Sequence, residues 1–564
     1  MSLQTIAFIF FLSISTNAYA QLFKNIPSAT TIESSINTYE KRKLSVINYF
    51  LKQPVGETLN INTQKYFSLP AIARAFHGKD GDLISERILS EHFKPYGKVG
   101  TNFVAIPYLC ERKGDWDFAL TYLIPLAFLS KEKNYLTPEA YEKLIFKLLN
   151  TAGDKHYKKF RIGICGKITD TENHILMTES ARYLTNELRA DFYRKQNIPV
   201  PKEIDNDLNG FHQWWINHLK KIKKENFDEY NSRPYQGYAL MPITNLAGFS
   251  KNKKVKAAAQ DILDHLSEIY LTQSAGMIRN VPFRRQIVYE TKDDLVVGDG
   301  EIARHAYLTG ITNFYQKIDN IPHVKYGKNF ILITAIADYK MNENTLHKFF
   351  NTDWFPKFTI YNHQTPEIYY NSKSFTLSAG GRHVNRLDGG TKQNDGWART
   401  TTLLLRQTPR LKISDHFRFK GHKFRLSRKN TCVYKNFACG INYARPKNLP
   451  TKCGFSFGGF NFYDLSSSQC GKIADVFIAE LIKTCQGAAC WFKADNFGLI
   501  EVRESKELSF DSFIGQVLIN NMDISLRMNQ PNTYITTFGD KIDFTPGNPG
   551  KKSLEISSMD ELIN

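Results

Sequence analysis

The sequence predicts a chain that is α first and β second. The N-terminal part is expected to be a helical (α/α) toroid or solenoid, and the C-terminal part an antiparallel β-sandwich. Three observations carry this. From Ser35 to about residue 320, apolar residues recur at helical spacing in stretch after stretch, with no strand period between them. From Phe358 onward, short β-rich runs alternate with Gly, Asn, Asp and Pro. The length of 564 residues exceeds what one small core organises.

Taken in order, the helical stretches begin with Ser35 to Leu51. Trp116 to Leu129 is an apolar run, and Pro138 to Leu149 opens with Thr137-Pro138-Glu139, proline in a first turn. Glu172 to Arg194 sets Leu176, Leu184 and Leu188 on one face. Asn206 to Lys224 ends in lysines, which suits the negative end of a helix dipole. Tyr238 to Phe249 and Lys254 to Tyr270 follow, the latter with Val255, Ala258, Ile262, Leu266 and Ile269 at helical steps. Gly300 to Tyr315 reads as a helix, and Phe330 to Tyr339 as a helix or a strand. Successive helices of this kind pack as hairpins, and no fixed-period repeat marks one of the common repeat families.

The β-rich runs are Ser374–Ser378, Thr400–Leu405, Phe417–Phe419, Gly454–Phe462, Ala474–Leu481, Ile500–Arg503, Phe513–Ile519 and Tyr534–Thr537. Many short strands between turn residues read as an antiparallel sandwich. The expected domains are therefore 21–340, helical and carrying the site, and 355–546, the sandwich. A polar tail, 547–564, completes the chain.

Met1 to Ala20 holds no charge. Its apolar run, Ile6 to Ile14, leads to Ala18-Tyr19-Ala20, the pattern of a signal peptide cleaved before Gln21. The run falls short of the roughly 20 apolar residues a membrane span needs. The expectation is an exported chain, periplasmic or secreted, with no integral membrane association. The net charge of +19 favours polyanions, and export turns that preference away from nucleic acid and towards anionic lipid or acidic polysaccharide. Eight cysteines in an exported chain imply disulfides, for which Cys432–Cys439, Cys453–Cys470 and Cys485–Cys490 are local pairs. No C-x-x-C pair occurs, and no metal or other cofactor is expected.

Polar chemistry concentrates between Thr171 and Leu240. Asn173-His174 opens one helix; Tyr230, Asn231, Arg233, Tyr235 and Tyr238 crowd the turn that opens another, around Pro234 and Gly237. Two further basic loops carry Arg279, Arg284 and Arg285, and Arg382, His383 and Arg386. A set of acids, Asp293, Asp294, Asp299 and Glu301, offers carboxylate pairs. Each group also has a structural reading, as a helix cap, a packed phenol or a solvated turn.

An exported chain of helical hairpins with an Asn-His pair and a later Tyr238-Ala239-Leu240 helix start resembles the alginate lyase and heparinase-like polysaccharide lyases. The resemblance implies an (α/α) toroid followed by an antiparallel β-sandwich. It implies that His174 is the catalytic histidine and Tyr238 the catalytic tyrosine. The family's arginine falls at Asn231, with Arg233 two positions on, and His383 is the candidate for a histidine brought from the sandwich.

The chemistry fits these residue types. β-Elimination on a uronate needs the carboxylate beside C5 neutralised, for which Asn173 and Arg233 are donors. It needs a base, His174 or the oxygen of Tyr238, and an acid for the leaving oxygen, Tyr238. Arg279, Arg284, Arg285, Arg382 and Arg386 would hold the polyanion, with Tyr230, Asn231 and Tyr235 beside it. The expected function is metal-independent cleavage of an acidic glycan. A glycoside hydrolase on a six-hairpin toroid, using Asp299 or Glu301, and a secreted binding protein without catalysis are the alternatives. Oligomeric state stays open.

Overall fold

The structure is a computed structural model that describes residues 26–59, 64–100, 114–154, 160–163, 166–227, 231–232, 235–280, 295, 300–312, 327–351, 353–361, 367–380, 401–406, 412–419, 433–441, 443–484, 496–522, 533–546 and 554–556. The segment 1–20 and the tail from 557 lie outside the described residues. The chain divides into two compact units. The first takes Met1–Glu229, Pro234–Ser267 and Gly298–Phe350; the second takes Tyr230–Arg233, Glu268–Val297 and Asn351–Asn564. Among the described residues, no helix is long and apolar enough to cross a membrane.

The first unit is helical. Its elements are α1 (Ile32–Asn37), α2 (Tyr39–Leu51), α3 (Gln64–His77), α4 (Gly81–Leu89), α5 (Trp116–Lys133) and α6 (Pro138–Lys143), which runs on as a π turn over Leu144–Leu148. After a short hairpin, β1 (Phe160–Gly163) with β2 (Gly166–Thr169), come α7 (Glu172–Lys195), α8 (Phe211–Glu225), α9 (Tyr235–Phe249) and α10 (Lys253–Thr272), of which the residues from Glu268 on belong to the second unit. Helices α11 (Gly300–Thr309), α12 (Gly327–Ile336) and α13 (Glu343–Phe350) complete it. Helices α3 and α4 and the last helix, α13, were not singled out in the sequence. Phe330 lies in a helix and not a strand. The helix that opens at Gly300 stops at Thr309 because Gly310 turns left-handed (φ 78°).

Patterning explains which helices lie inside. Helix α5 is apolar nearly all round and buries Trp116, Leu120, Leu123, Ile124, Leu126 and Ala127 completely. Helix α10 is amphipathic and buries one face, with Val255, Ala259, Ile262, Leu263, Leu266, Ile269 and Tyr270 inside. Helix α6 starts as its sequence requires: Pro138 sits in the first turn, and the Ala140 N–H donates to Thr137 Oγ1 at 3.3 Å.

A buried arginine joins the early helices to the late ones. Arg42, 1% exposed, donates from Nε to the Tyr307 carbonyl at 2.7 Å and from Nη2 to the Leu308 carbonyl at 2.9 Å. Those carbonyls end α11 and have no partner within the helix. Nearby, the Tyr39 hydroxyl donates to the Tyr339 carbonyl at 2.8 Å.

The second unit is mostly antiparallel β. One six-stranded sheet runs in the order β12 (Tyr443–Ala444), β9 (Phe417–Phe419), β8 (Thr401–Leu405), β7 (Phe375–Gly380), β6 (Glu367–Asn371) and β5 (Lys357–Tyr361). The other runs β10 (Val433–Tyr434), β11 (Phe437–Ile441), β16 (Asn496–Glu504), β15 (Val476–Thr484), β14 (Phe460–Asp464) and β13 (Phe455–Phe457). Ile368, Leu377, Leu403 and Phe417 of the first sheet share one buried apolar cluster with Phe462, Ile478, Leu499 and Ile500 of the second. Smaller pieces are the hairpin β3 (Ser274–Ala275) with β4 (Ile278–Arg279), and a sheet of β17 (Thr533–Ile535), β18 (Lys541–Pro546) and β19 (Leu554–Ile556). Cys453 and Cys470 are disulfide-bonded, and Cys439 is also in a disulfide. Cys432, Cys485 and Cys490 lie outside the described residues.

One expected strand is corrected. Phe513–Ile519 belongs to helix α14 (Phe510–Asn521). Ser509 caps it, accepting from the Ser512 N–H at 3.2 Å. Phe510, Phe513, Ile514, Val517 and Leu518 then pack on the cluster at helical spacing.

A second buried polar group in the helical unit sets a pH dependence. Glu187 of α7 is 7% exposed and accepts the Lys251 N–H at 3.1 and 3.2 Å. Burial pushes its carboxyl up to about 7, against the opposing pull of Lys251, Tyr183 and Ser250. Its folded value lies above its unfolded one, so the native state holds a proton that the unfolded chain releases. This residue's contribution to stability therefore falls as pH rises from about 4.5 to 7 and is flat above. Glu187→Gln is expected to remove that slope and to raise the unfolding free energy at pH 8, by up to about 3 kcal/mol. Denaturant titrations of both proteins at pH 5 and pH 8 measure it; an equal difference at the two pH values would refute it.

Candidate active site

The start of α7 is built by short-range hydrogen bonds. The Thr171 N–H donates to Asp170 Oδ1 at 2.9 Å, and Thr171 Oγ1 donates to Asn173 Oδ1 at 2.7 Å. Thr171 has the extended backbone of an N-cap (φ −70°, ψ 152°). Its hydroxyl therefore fixes the oxygen of the Asn173 amide and turns the nitrogen away. Asn173 is 1% exposed, and its Nδ2 meets no hydrogen-bond partner among the described residues. A buried amide N–H pair without an acceptor costs on the order of 1–3 kcal/mol. Such a group calls for an acceptor, and none of the described residues supplies it.

His174 follows on the next position of the helix. Its Nδ1 lies 2.5 Å from Asp117 Oδ2, and the ring is 7% exposed. Burial alone would lower the imidazole pKa. The charge of Asp117, the bond to it, and the charges of Asp170 and Asp115 outweigh burial and raise it above 6.5. With Nδ1 engaged, Nε2 is the ring nitrogen left to meet a ligand.

Asp117 lies in the first turn of α5 and is fully buried. Its other oxygen accepts the Gly100 N–H at 3.0 Å. The strand of chain around Gly97–Gly100 is tied to the start of α5 by Gly114 N–H to the Lys98 carbonyl (2.8 Å) and Asp115 N–H to the Gly100 carbonyl (3.1 Å). The two backbones approach so closely that a Cβ on Gly114 would come within 2.4 Å of the Gly97 Cα.

Aromatic rings link His174 to Tyr238. The Phe118 ring meets His174 edge-on at 5.4 Å and meets Tyr238 edge-on at 5.0 Å. Tyr238, half-buried on the first turn of α9, also packs on Phe330 of α12 at 5.8 Å. Phe330 is itself held between two glycines. A Cβ on Gly237 would lie 2.8 Å from its ring, and one on Gly300 would lie 2.2 Å from it. Asn173, His174 and Tyr238 are thus positioned by α5, α7, α9 and α12 within one compact unit.

No family model matches the chain, and no curated protein matches it in sequence.

Of the other expected site residues, Tyr235 is the first residue of α9 and is half-buried. Arg233, Tyr230, Arg284, Arg285, Arg382, His383 and Arg386 lie outside the described residues, as do Asp293, Asp294 and Asp299. Asn231 and Arg279 belong to the second unit. Asn231 is fully buried with a left-handed backbone (φ 52°), and its Nδ2 donates to the Asn280 carbonyl at 3.0 Å. Arg279 is not on a basic loop of the helical domain. Its backbone pairs with Ser274 in a hairpin, and the side chain, 1% exposed, stacks over Tyr270 at 5.2 Å. Glu301 is 1% exposed on α11. Among the described residues, no group of three or more His, Cys, Asp or Glu is arranged to hold a metal ion.

Asp117 and Phe118 were missed in the sequence, where Trp116–Leu129 reads only as an apolar run. The available signal was an acid, Asp117, inside that run: a buried charge needs a partner.

The glycine vice around Phe330 makes a prediction. Gly300→Ala is expected to displace the Phe330 ring, cost about 1–3 kcal/mol of stability, and shift Tyr238. Thermal unfolding together with the near-ultraviolet circular dichroism of the aromatic rings measures both; unchanged values in the variant would contradict this packing.

Proposed function

We propose that the chain is an exported polysaccharide lyase-like enzyme that cleaves an acidic, uronate-containing glycan by β-elimination. In this reading the helical unit is an (α/α) toroid and the two six-stranded sheets are a sandwich. The bonds from α2 to the end of α11 and to Tyr339, three residues past α12, support the first, and the shared apolar cluster supports the second. The observation that carries the function is the buried Asn173 amide, whose Nδ2 meets no acceptor among the described residues, beside the buried imidazole of His174. That pairing suits a carboxylate next to an acidic C–H bond. The uncharged segment 1–20 supports export, and the +19 net charge supports a polyanionic substrate.

The mechanism follows from the roles each group can take. Asn173 Nδ2 donates to the uronate carboxylate and stabilises the charge that develops on it as C5 loses its proton. His174 Nε2 takes that proton, and the C5–H electron pair becomes the C4–C5 double bond. The C4–O bond breaks, and the Tyr238 hydroxyl gives its proton to the departing glycosidic oxygen. The imidazolium proton then returns the tyrosine to its neutral form by way of solvent. Atoms and charge balance with no further reactant.

The test uses full-length protein with alginate, hyaluronan, heparan sulfate and pectate, following the ultraviolet absorbance of the unsaturated product. His174→Ala and Tyr238→Phe are each expected to lose at least about 10²-fold in kcat/KM. Asn173→Ala is expected to lose about 10²–10³-fold, mainly in kcat. Because the His174 pKa is raised and the base form is the neutral one, the acidic limb of the rate profile is expected above pH 6.5, with activity lost as pH falls through it. New reducing ends without absorbance would replace this reading with hydrolysis. Binding without cleavage would replace it with a glycan-binding protein.

A further inference from the structure

We propose that Asp117 is the positioning residue of this site: it holds His174 with the proton on Nδ1, so that Nε2 presents the lone pair. The inference rests on the reading of His174 as the base and adds to it a group that does not touch substrate. Three features of the structure point to this role.

The first is the geometry of the carboxylate. Asp117 Oδ2 faces His174 Nδ1 at 2.5 Å, and Oδ1 accepts the Gly100 N–H at 3.0 Å. With one oxygen held by backbone, the carboxylate cannot turn to offer a different face to the ring. An ionised carboxylate accepts hydrogen bonds and donates none, so the imidazole nitrogen beside it must carry a proton.

The second is burial. Asp117 is fully buried, and His174 is 7% exposed. In surroundings that dry, an imidazolium has little water to stabilise it, and the adjacent carboxylate is what makes proton uptake at Nε2 favourable. Asp170 and Asp115 add the same sign of charge from the approaches to α7 and α5. Among the described residues, the rings packed about the site are Phe118, Tyr238 and Phe330, and the Tyr96 phenol lies within the field of Asp117 and Asp115.

The third is the ring contact. The edge-on Phe118 ring packs at 5.4 Å from His174 and restricts rotation of the imidazole away from Asp117. The tautomer and the orientation are therefore set together.

The chosen variant is Asp117→Asn, which keeps an oxygen for the Gly100 N–H but can place an amide N–H towards His174 Nδ1. That inverts the tautomer and puts the proton on Nε2. Histidine-labelled full-length protein, followed by nitrogen NMR across pH, reads this directly. The wild type is expected to show protonated Nδ1 with a pKa above 6.5, and the variant protonated Nε2 with a lower pKa. With a substrate polymer turned over, Asp117→Asn is expected to lose about 10²-fold or more in kcat with little change in KM, its acidic limb moving to lower pH. Asp117→Glu, which restores a carboxylate, is expected to recover part of the loss. A wild-type tautomer and pKa for His174 in Asp117→Asn would overturn the proposal, as would unchanged kcat. If no polymer is cleaved, the lyase reading fails while the NMR result still decides the role of Asp117.

Discussion

The helical unit depends on a carboxylate that water does not reach. Asp117 sits at the start of its most apolar helix, where a charge is costly unless it is paired and hydrogen-bonded. The structure meets that demand from two directions, with the Gly100 N–H and with His174. Satisfying it obliges the chain at Gly97–Gly100 to lie against the start of α5, and obliges α7 to present its first turn to α5.

The second unit handles buried acids by the same rule with different partners. Glu501 of β16 is fully buried and accepts from Tyr534, Asn436 and both the N–H and the hydroxyl of Thr537. Burial still raises its pKa. Glu480 of β15 accepts from Tyr463 at 2.5 Å and from Arg445 at 2.9 Å. These acids have their acceptor sites filled by the protein itself and tie strands to loops. Asn173 differs from them in kind, because its donor meets no acceptor among the described residues.

How much of this was legible depends on range. Helix α10 was readable because its five apolar positions lie within one stretch, and strand β9 because its alternation is local. Helix α14 was misread from Phe513–Ile519, a run rich in apolar residues; Ser509 and the spacing from Phe510 to Leu518 held the right answer in a slightly wider window. Asn173, His174 and Tyr238 were visible as residue types at helix starts. Asp117 was not, because its partner is 57 residues away and nothing local joins them. Arg279 shows the opposite failure. A guanidinium in a basic run reads as solvated, and only the folded hairpin reveals that it lies buried over Tyr270.

The clasp between α2 and the late helices bears on how the molecule is made. Arg42 and Tyr39 find their acceptors 265 and 300 residues downstream. Until that chain has been synthesised, Arg42 has only its local acceptors, the Ser35 carbonyl and Thr38 Oγ1, and lacks the two carbonyls at the end of α11. Contacts of such sequence separation form late and slowly. The bonds that join α2 to the late part of the helical unit therefore close only after that part has been made, and the first helices stay unclasped until then.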